Sequence, residues 1–201
     1  MLVPIGIGVG LTSISLGMVR ALERKGVKVQ FFKPIAQIRS GDKGPERSTT
    51  ILSKSPTVNP LEPFNMDHAE ALIRSEQTDV LMEQIIARAA ECATNTETIV
   101  IEGLVPTRSH PFADDINYEI AKALDADVIG LMEMENDGFG PQSAVQDLVN
   151  GLNAVAGENQ FAFVDFNAEQ VGTDQIMSAM IYRTNRVEQV GQAAFATAEP
   201  F

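Results

Sequence analysis

The strongest constraint on how this chain folds lies at its N-terminus. Leu2 to Ile7 is a short apolar run, Gly6, Gly8 and Gly10 are spaced along its end, and Leu11-Thr12-Ser13 opens an amphipathic stretch reaching about Lys25. A buried strand, a glycine turn and a helix in that order form a βα unit, because the helix must fold back over the sheet that the strand joins. Gly26 stands where a left-handed residue would end the helix. The pattern then repeats. Val27 to Phe32 reads as a second strand closed by Lys33-Pro34, Thr98 to Glu102 as a third ending at Gly103, and Asp127 to Met132 as a fourth. Helices are expected at about 66–74, 77–94 and 117–124. Residues 38–65, rich in Pro, Ser and Thr, read as a surface loop with at most a short helix around 46–53. Strands and helices alternating at this spacing call for right-handed crossovers and a parallel sheet.

Beyond residue 133 the texture changes. Pro141 to Ala156 has helical periodicity, whereas Gln160–Phe166 and Gln175–Arg183 alternate as half-buried strands do, and Arg186–Val190 is expected to pair with the latter as a hairpin. The fold class expected is therefore α/β, a parallel sheet flanked by helices, with a C-terminal α+β extension containing an antiparallel hairpin. Charge marks the same divide. Residues 1–127 carry 13 basic against 17 acidic side chains, while residues 128–201 carry two, Arg183 and Arg186, against ten. We expect two domains, 1–127 and 128–201, meeting where that balance shifts.

The composition also excludes some classes. No run approaches the roughly 18 apolar residues of a membrane span, and no basic segment precedes an apolar one as in a signal peptide, so the expected location is cytoplasmic. A lone cysteine, Cys92, rules out an intrachain disulfide and reads as a small buried apolar residue. The net charge of -12 argues against unaided binding to nucleic acid, which needs clustered Lys and Arg.

The glycine segment sits where a phosphate-binding loop belongs, with successive N–H groups turned inward at a helix N-terminus. Its candidate ligand-binding residues are Gly6, Gly8, Gly10, Leu11, Thr12 and Ser13. A working Walker loop ends Gly-Lys-Ser/Thr, with the lysine on phosphate and the hydroxyl on Mg²⁺; here the sequence is Gly10-Leu11-Thr12. Leucine cannot donate to phosphate. Anion binding and simple close packing of helix on strand are both open readings of the glycines.

The stretches Gly8-Val9-Gly10-Leu11-Thr12-Ser13, Phe32-Lys33-Pro34-Ile35-Ala36-Gln37 and Glu102-Gly103-Leu104-Val105-Pro106-Thr107-Arg108 make a specific resemblance. Residues 1–127 resemble the N-terminal, P-loop domain of bacterial phosphate acetyltransferases, a domain related to desthiobiotin synthetase. The resemblance implies a regulatory and assembly module rather than the transferase domain itself, which nothing after residue 127 resembles. Leucine at the Walker lysine position is common in that family. From the synthetase relatives, Lys33 is expected to contact the ligand and Thr12 with Glu102 a metal ion, the cofactor being ATP or another nucleotide with Mg²⁺. Both Lys33 and Glu102 fall at C-terminal strand ends, where open α/β sheets collect ligands. A solvated lysine and a loop-ordering carboxylate are the alternatives.

A second motif follows Asp127: Glu133, Glu135 and Asp137 are expected just past a buried strand, where converging carboxylates would suit Mg²⁺. Residues 123–191, through Ala123-Leu124-Asp125-Ala126-Asp127-Val128-Ile129-Gly130-Leu131-Met132-Glu133 and Gly172-Thr173-Asp174-Gln175-Ile176, resemble an internal piece of nucleases of the endonuclease/exonuclease/phosphatase superfamily, whose metal-binding glutamate maps onto Glu133. The chain thus reads as a chimera. Histidine and Asp-bearing motifs of that family have no counterpart here, so no catalytic residues are assigned.

Three functions follow. The first is a regulatory module binding a nucleotide or small anionic metabolite, with a second copy of the chain as a further candidate partner. The second is a remnant of a metal-dependent phosphodiesterase centred on Glu133. The third is a ligase-like use of ATP through Thr12, Lys33 and Glu102. The missing lysine and missing acid–base groups favour the first.

Overall fold

A computed structural model describes residues 1–6, 10–38 and 45–194. The chain is mixed α/β and divides into two compact units, Met1–Ala126 and Asp127–Phe201.

The first unit holds β1 (Leu2–Pro4), α1 (Leu11–Arg24), β2 (Val29–Phe32), α2 (Arg47–Leu52), α3 (Met66–Arg74), α4 (Thr78–Cys92), β3 (Thr98–Ile101) and α5 (Ala113–Ala123). β2 and β3 run parallel with Phe31 opposite Val100, and a parallel bridge joins Leu2 to Glu102. β1 closes at Pro4, sooner than expected, because proline has no N–H to extend a ladder and Ile5 is already 45% exposed.

Helix α1 begins on Gly10, whose φ of 63° is the left-handed conformation that glycine adopts without a Cβ penalty. The helix buries Leu11, Ser15 and Val19, a stripe at i, i+4 and i+8. Gly26, at φ 81°, follows its C-cap Lys25. α4 buries Leu81, Met82, Ile85, Ala89 and Cys92 against Phe32, Ile101 and Ile120 in the main apolar cluster. α5 starts at Ala113, four residues before the expected Asn117. The acidic pair Asp114 and Asp115 occupies its first turn, where carboxylates favour the positive end of the helix dipole.

Cys92 is buried and donates through Sγ to Phe31 O at 3.6 Å. Burial, and secondarily the charge of Glu91, pushes its thiol up to about 11. Since the thiolate is the reactive form, iodoacetamide at mildly alkaline pH is expected to leave the native chain unmodified and to label it in denaturing urea. Fast labelling of the native chain, read by mass spectrometry, would contradict this packing.

The second unit holds β4 (Val128–Glu135), α6 (Ala144–Ala156), β5 (Phe161–Phe163) and β6 (Ile176–Arg183). β6 lies between β4 and β5 and is antiparallel to both. The expected hairpin between β6 and Arg186–Val190 is therefore not formed. Both edges of β6 are already occupied, and residues 187–190 form no strand. α6 packs on β4 and β5, burying Val145 and Val149. Asn153 on this helix accepts from Phe161 N at 2.8 Å and donates to Phe161 O at 3.0 Å. Buried Asn136 holds the 171–174 loop through Val171 N, Val171 O and Asp174 O at 2.7–3.0 Å. Phe139 contacts Phe163 and Phe166 at ring separations of 5.9 and 5.5 Å.

Candidate functional site

The residues that end β2 and β3 meet inside the first unit. Lys33, one residue past β2, and Glu102, one past β3, are each 2% exposed. Parallel pairing of the two strands in register brings those ends side by side. Lys33 Nζ lies 3.1 Å from Glu102 Oε1 and donates to Gly103 O at 2.6 Å. The lysine is thus a buried ion-pair partner, and the reading of it as a solvated strand-end charge is corrected. Two hydroxyls complete the shell of the carboxylate: Ser48 Oγ donates to Glu102 Oε1 at 2.6 Å and Ser15 Oγ to Oε2 at 2.7 Å. Thr12 Oγ1 is 2.7 Å from Ser48 Oγ. A buried carboxylate with three donors is the arrangement that burial of a charge demands.

Above this network opens a cleft of about 1010 Å³. Gly10, Leu11 and Thr12 form one wall, and the exposed Arg47 and Arg108 and the half-buried His110 stand on others. Ser13 N and Ile14 N turn back to Gly10 O at 2.8 and 3.2 Å; the N–H groups of Leu11 and Thr12 precede the first intrahelical bond and point from the positive end of the dipole. His110 Nε2 is 3.6 Å from Glu70 Oε1, and Nδ1 lies 3.2 Å from Thr107 Oγ1.

Of the residues singled out from sequence, Gly10, Leu11, Thr12, Lys33 and Glu102 line the cleft. The Leu11 side chain is buried in the core, so what it offers a ligand is its N–H. Ser13 is exposed on α1 and, like Gly6 two residues past β1, is not part of the lining. Gly8 lies outside the described residues.

Glu133 sits in the second unit, in the bulge where β4 shifts register against β6 between Leu131 and Met134. Its φ of 66° places a non-glycine residue in the left-handed region. The expected gathering of Glu133, Glu135 and Asp137 past a strand end is corrected. β4 continues to Glu135, and both oxygens of Asp137 accept from Ala144 N, at 3.0 and 3.1 Å, at the start of α6. Among the described residues no group of three or more His, Cys, Asp or Glu is placed to hold a metal ion.

Sequence reasoning missed Ser15, Ser48 and Glu46. A visible sign existed for Ser15, a polar residue in the middle of an apolar stripe. Glu46 has a local signature too, since its carboxylate caps α2 by accepting from Ser48 N at 3.1 Å and Thr49 N at 2.6 Å.

Comparison with known proteins bears on the same residues. A family model described as AAA domain matches residues 1–154. The chain belongs to that family. Phosphate acetyltransferase of Salmonella typhimurium strain LT2 is 50% identical over 137 residues, which is 68% of this chain and 19% of the relative. The Escherichia coli K12 phosphate acetyltransferase is 49% identical over 138 residues with the same shares, and that of Acinetobacter baylyi is 34% identical over 134 residues, or 64% of this chain and 18% of the relative. The chain spans about a fifth of the length of the relatives it matches, and the homology is to their N-terminal region. The AAA domain match runs past the charge divide at residue 127 and through most of α6. Among the described residues no helix is long and apolar enough to cross a membrane.

Proposed function

We propose that this AAA domain is a regulatory, anion-binding module of phosphate acetyltransferase type, working in the cytoplasm on a transferase domain and taking a nucleotide or small acidic metabolite in the cleft at α1. The observation that carries this reading is the composition of the cleft wall. The N-terminus of a 14-residue helix opens into it together with Arg47, Arg108 and His110, which suits an anion. The catalytic apparatus of a phosphoryl-transfer site is not what surrounds it: Leu11 replaces the lysine, and Lys33 is engaged by Glu102 and Gly103 O. Binding without chemistry requires neither. The ligase reading has less in its favour for that reason, and the phosphodiesterase reading has less because among the described residues no carboxylates converge on Glu133.

A ligand that binds only the folded chain stabilises it, by about 2.7 kcal/mol at a hundred times its Kd. Thermal unfolding with ATP added at millimolar concentration is expected to rise by several degrees. The double variant Arg47→Glu, Arg108→Glu, which changes exposed side chains on the cleft, should lose the rise while keeping the unliganded Tm. An unchanged Tm for the parent chain would sink the proposal.

A further inference from the structure

The P-loop fold ordinarily holds its nucleotide through Mg²⁺, with the loop hydroxyl and an acidic strand-end residue as ligands or ligand supports. In this chain those positions are Thr12 and Glu102, and their surroundings do not fit the ion. Mg²⁺ demands near-ideal octahedral oxygen coordination at about 2.0–2.1 Å. Glu102 Oε1 already receives Ser48 at 2.6 Å and Lys33 at 3.1 Å, and Oε2 receives Ser15 at 2.7 Å. The Thr12 hydroxyl donates to Ser48 Oγ at 2.7 Å, since the Ser48 proton goes to Glu102, and this ties Thr12 into the same network. Two more carboxylates line the cleft: Glu46, which is taken up by Ser48 N and Thr49 N, and Asp114 in the first turn of α5. Both oxygens of Glu102 are thus held by donors, and those donors are themselves fixed by α1, α2 and the end of β2.

Charge points the same way. The buried Glu102 is neutralised one for one by the Lys33 ammonium, which Gly103 O holds from its other side at 2.6 Å. A divalent cation placed against Glu102 would face that ammonium at close range in a site only 2% exposed, where like charges are poorly screened. The lysine ammonium has in effect taken the cation's place beside Glu102.

We infer that this cleft binds its phosphate-bearing ligand as the free anion, with no divalent cation, the Lys33–Glu102 pair standing where the metal would. The inference rests on the anion-binding reading above and goes further, since it removes the Mg²⁺ complex as the bound species.

The test uses the full chain and two probes, ATP and inorganic pyrophosphate, titrated calorimetrically in EDTA and in excess Mg²⁺, with Mn²⁺ alone followed by electron paramagnetic resonance. The expected result is a Kd for each probe in EDTA that is equal to, or tighter than, that in Mg²⁺ within about threefold, and a free Mn²⁺ signal that the protein does not diminish. A gain of tenfold or more on adding Mg²⁺, or Mn²⁺ captured by the chain together with ATP, overturns the metal-free inference and leaves the anion site standing. Absence of binding in both buffers overturns the anion site and this inference with it.

Discussion

Lys33→Met is expected to lower the stability of the chain by about 3–5 kcal/mol, the usual cost of leaving one member of a buried ion pair without its partner. Methionine is close in length and adds no strain, so the loss reports the stranded Glu102 carboxylate. Ser15 and Ser48 would still donate to it, but hydroxyls do not neutralise charge. A small domain has only about 5–15 kcal/mol to lose, so the urea midpoint should fall far below that of the parent chain. The double variant Lys33→Met, Glu102→Gln should recover much of the deficit, because no buried charge remains and of the two serines, one at each former carboxylate oxygen, one can donate to the amide oxygen and the other accept from the amide nitrogen. A single variant within about 1 kcal/mol of the parent would mean that water reaches the pair, and Lys33 would then not be what neutralises Glu102.

Asn117→Ala is expected to be nearly as damaging. Asn117 is buried in α5, where Oδ1 accepts from Leu104 N at 2.7 Å and Nδ2 donates to Leu104 O at 2.8 Å. Alanine strands both backbone groups, each at about 1–3 kcal/mol. The residue before Leu104 leaves no room for error, for a Cβ on Gly103 would lie 2.7 Å from Asn117 Oδ1 and 3.0 Å from Leu2 O. The loop leaving β3 is pinned by one amide, and it is the loop that carries Arg108 and His110 to the cleft. The substitution should therefore depress the unfolding midpoint and also weaken any anion affinity. Retention of full stability in denaturant titrations would show that water serves Leu104 equally well.

Much of the first unit was legible in the sequence because its signals are local. The glycine turn, the α1 stripe of Leu11 and Val19, and the strand ends at Lys33 and Glu102 each fall within a few residues. The site was half legible for the same reason. Lys33 and Glu102 announce themselves as charged residues closing apolar runs, but the two serines that complete the shell lie 87 and 54 residues from Glu102 in sequence, and their convergence is a product of tertiary packing alone. Local signals also misled. The helix expected from Asn117 begins at Ala113, since the carboxylates of Asp114 and Asp115 suit a first helical turn, and Arg186–Val190 alternated like a strand although β6 had no edge to offer it. Glu133 and Glu135 read as lying past the strand end because the acidic run hid the bulge that lets β4 continue.

The amide of Asn153 has a consequence for association. β5 is the outer strand of its three-stranded group, and Phe161 turns its N–H and C=O away from β6. Exposed outward groups of that kind are templates on which another chain can add a strand. In this chain a helix side chain occupies both, its amide serving as a surrogate neighbouring strand. With β5 only three residues long, an incoming chain would have to dislodge Asn153 before gaining a ladder. The second unit, acidic and aromatic-rich, is in this way shielded from growing edge to edge.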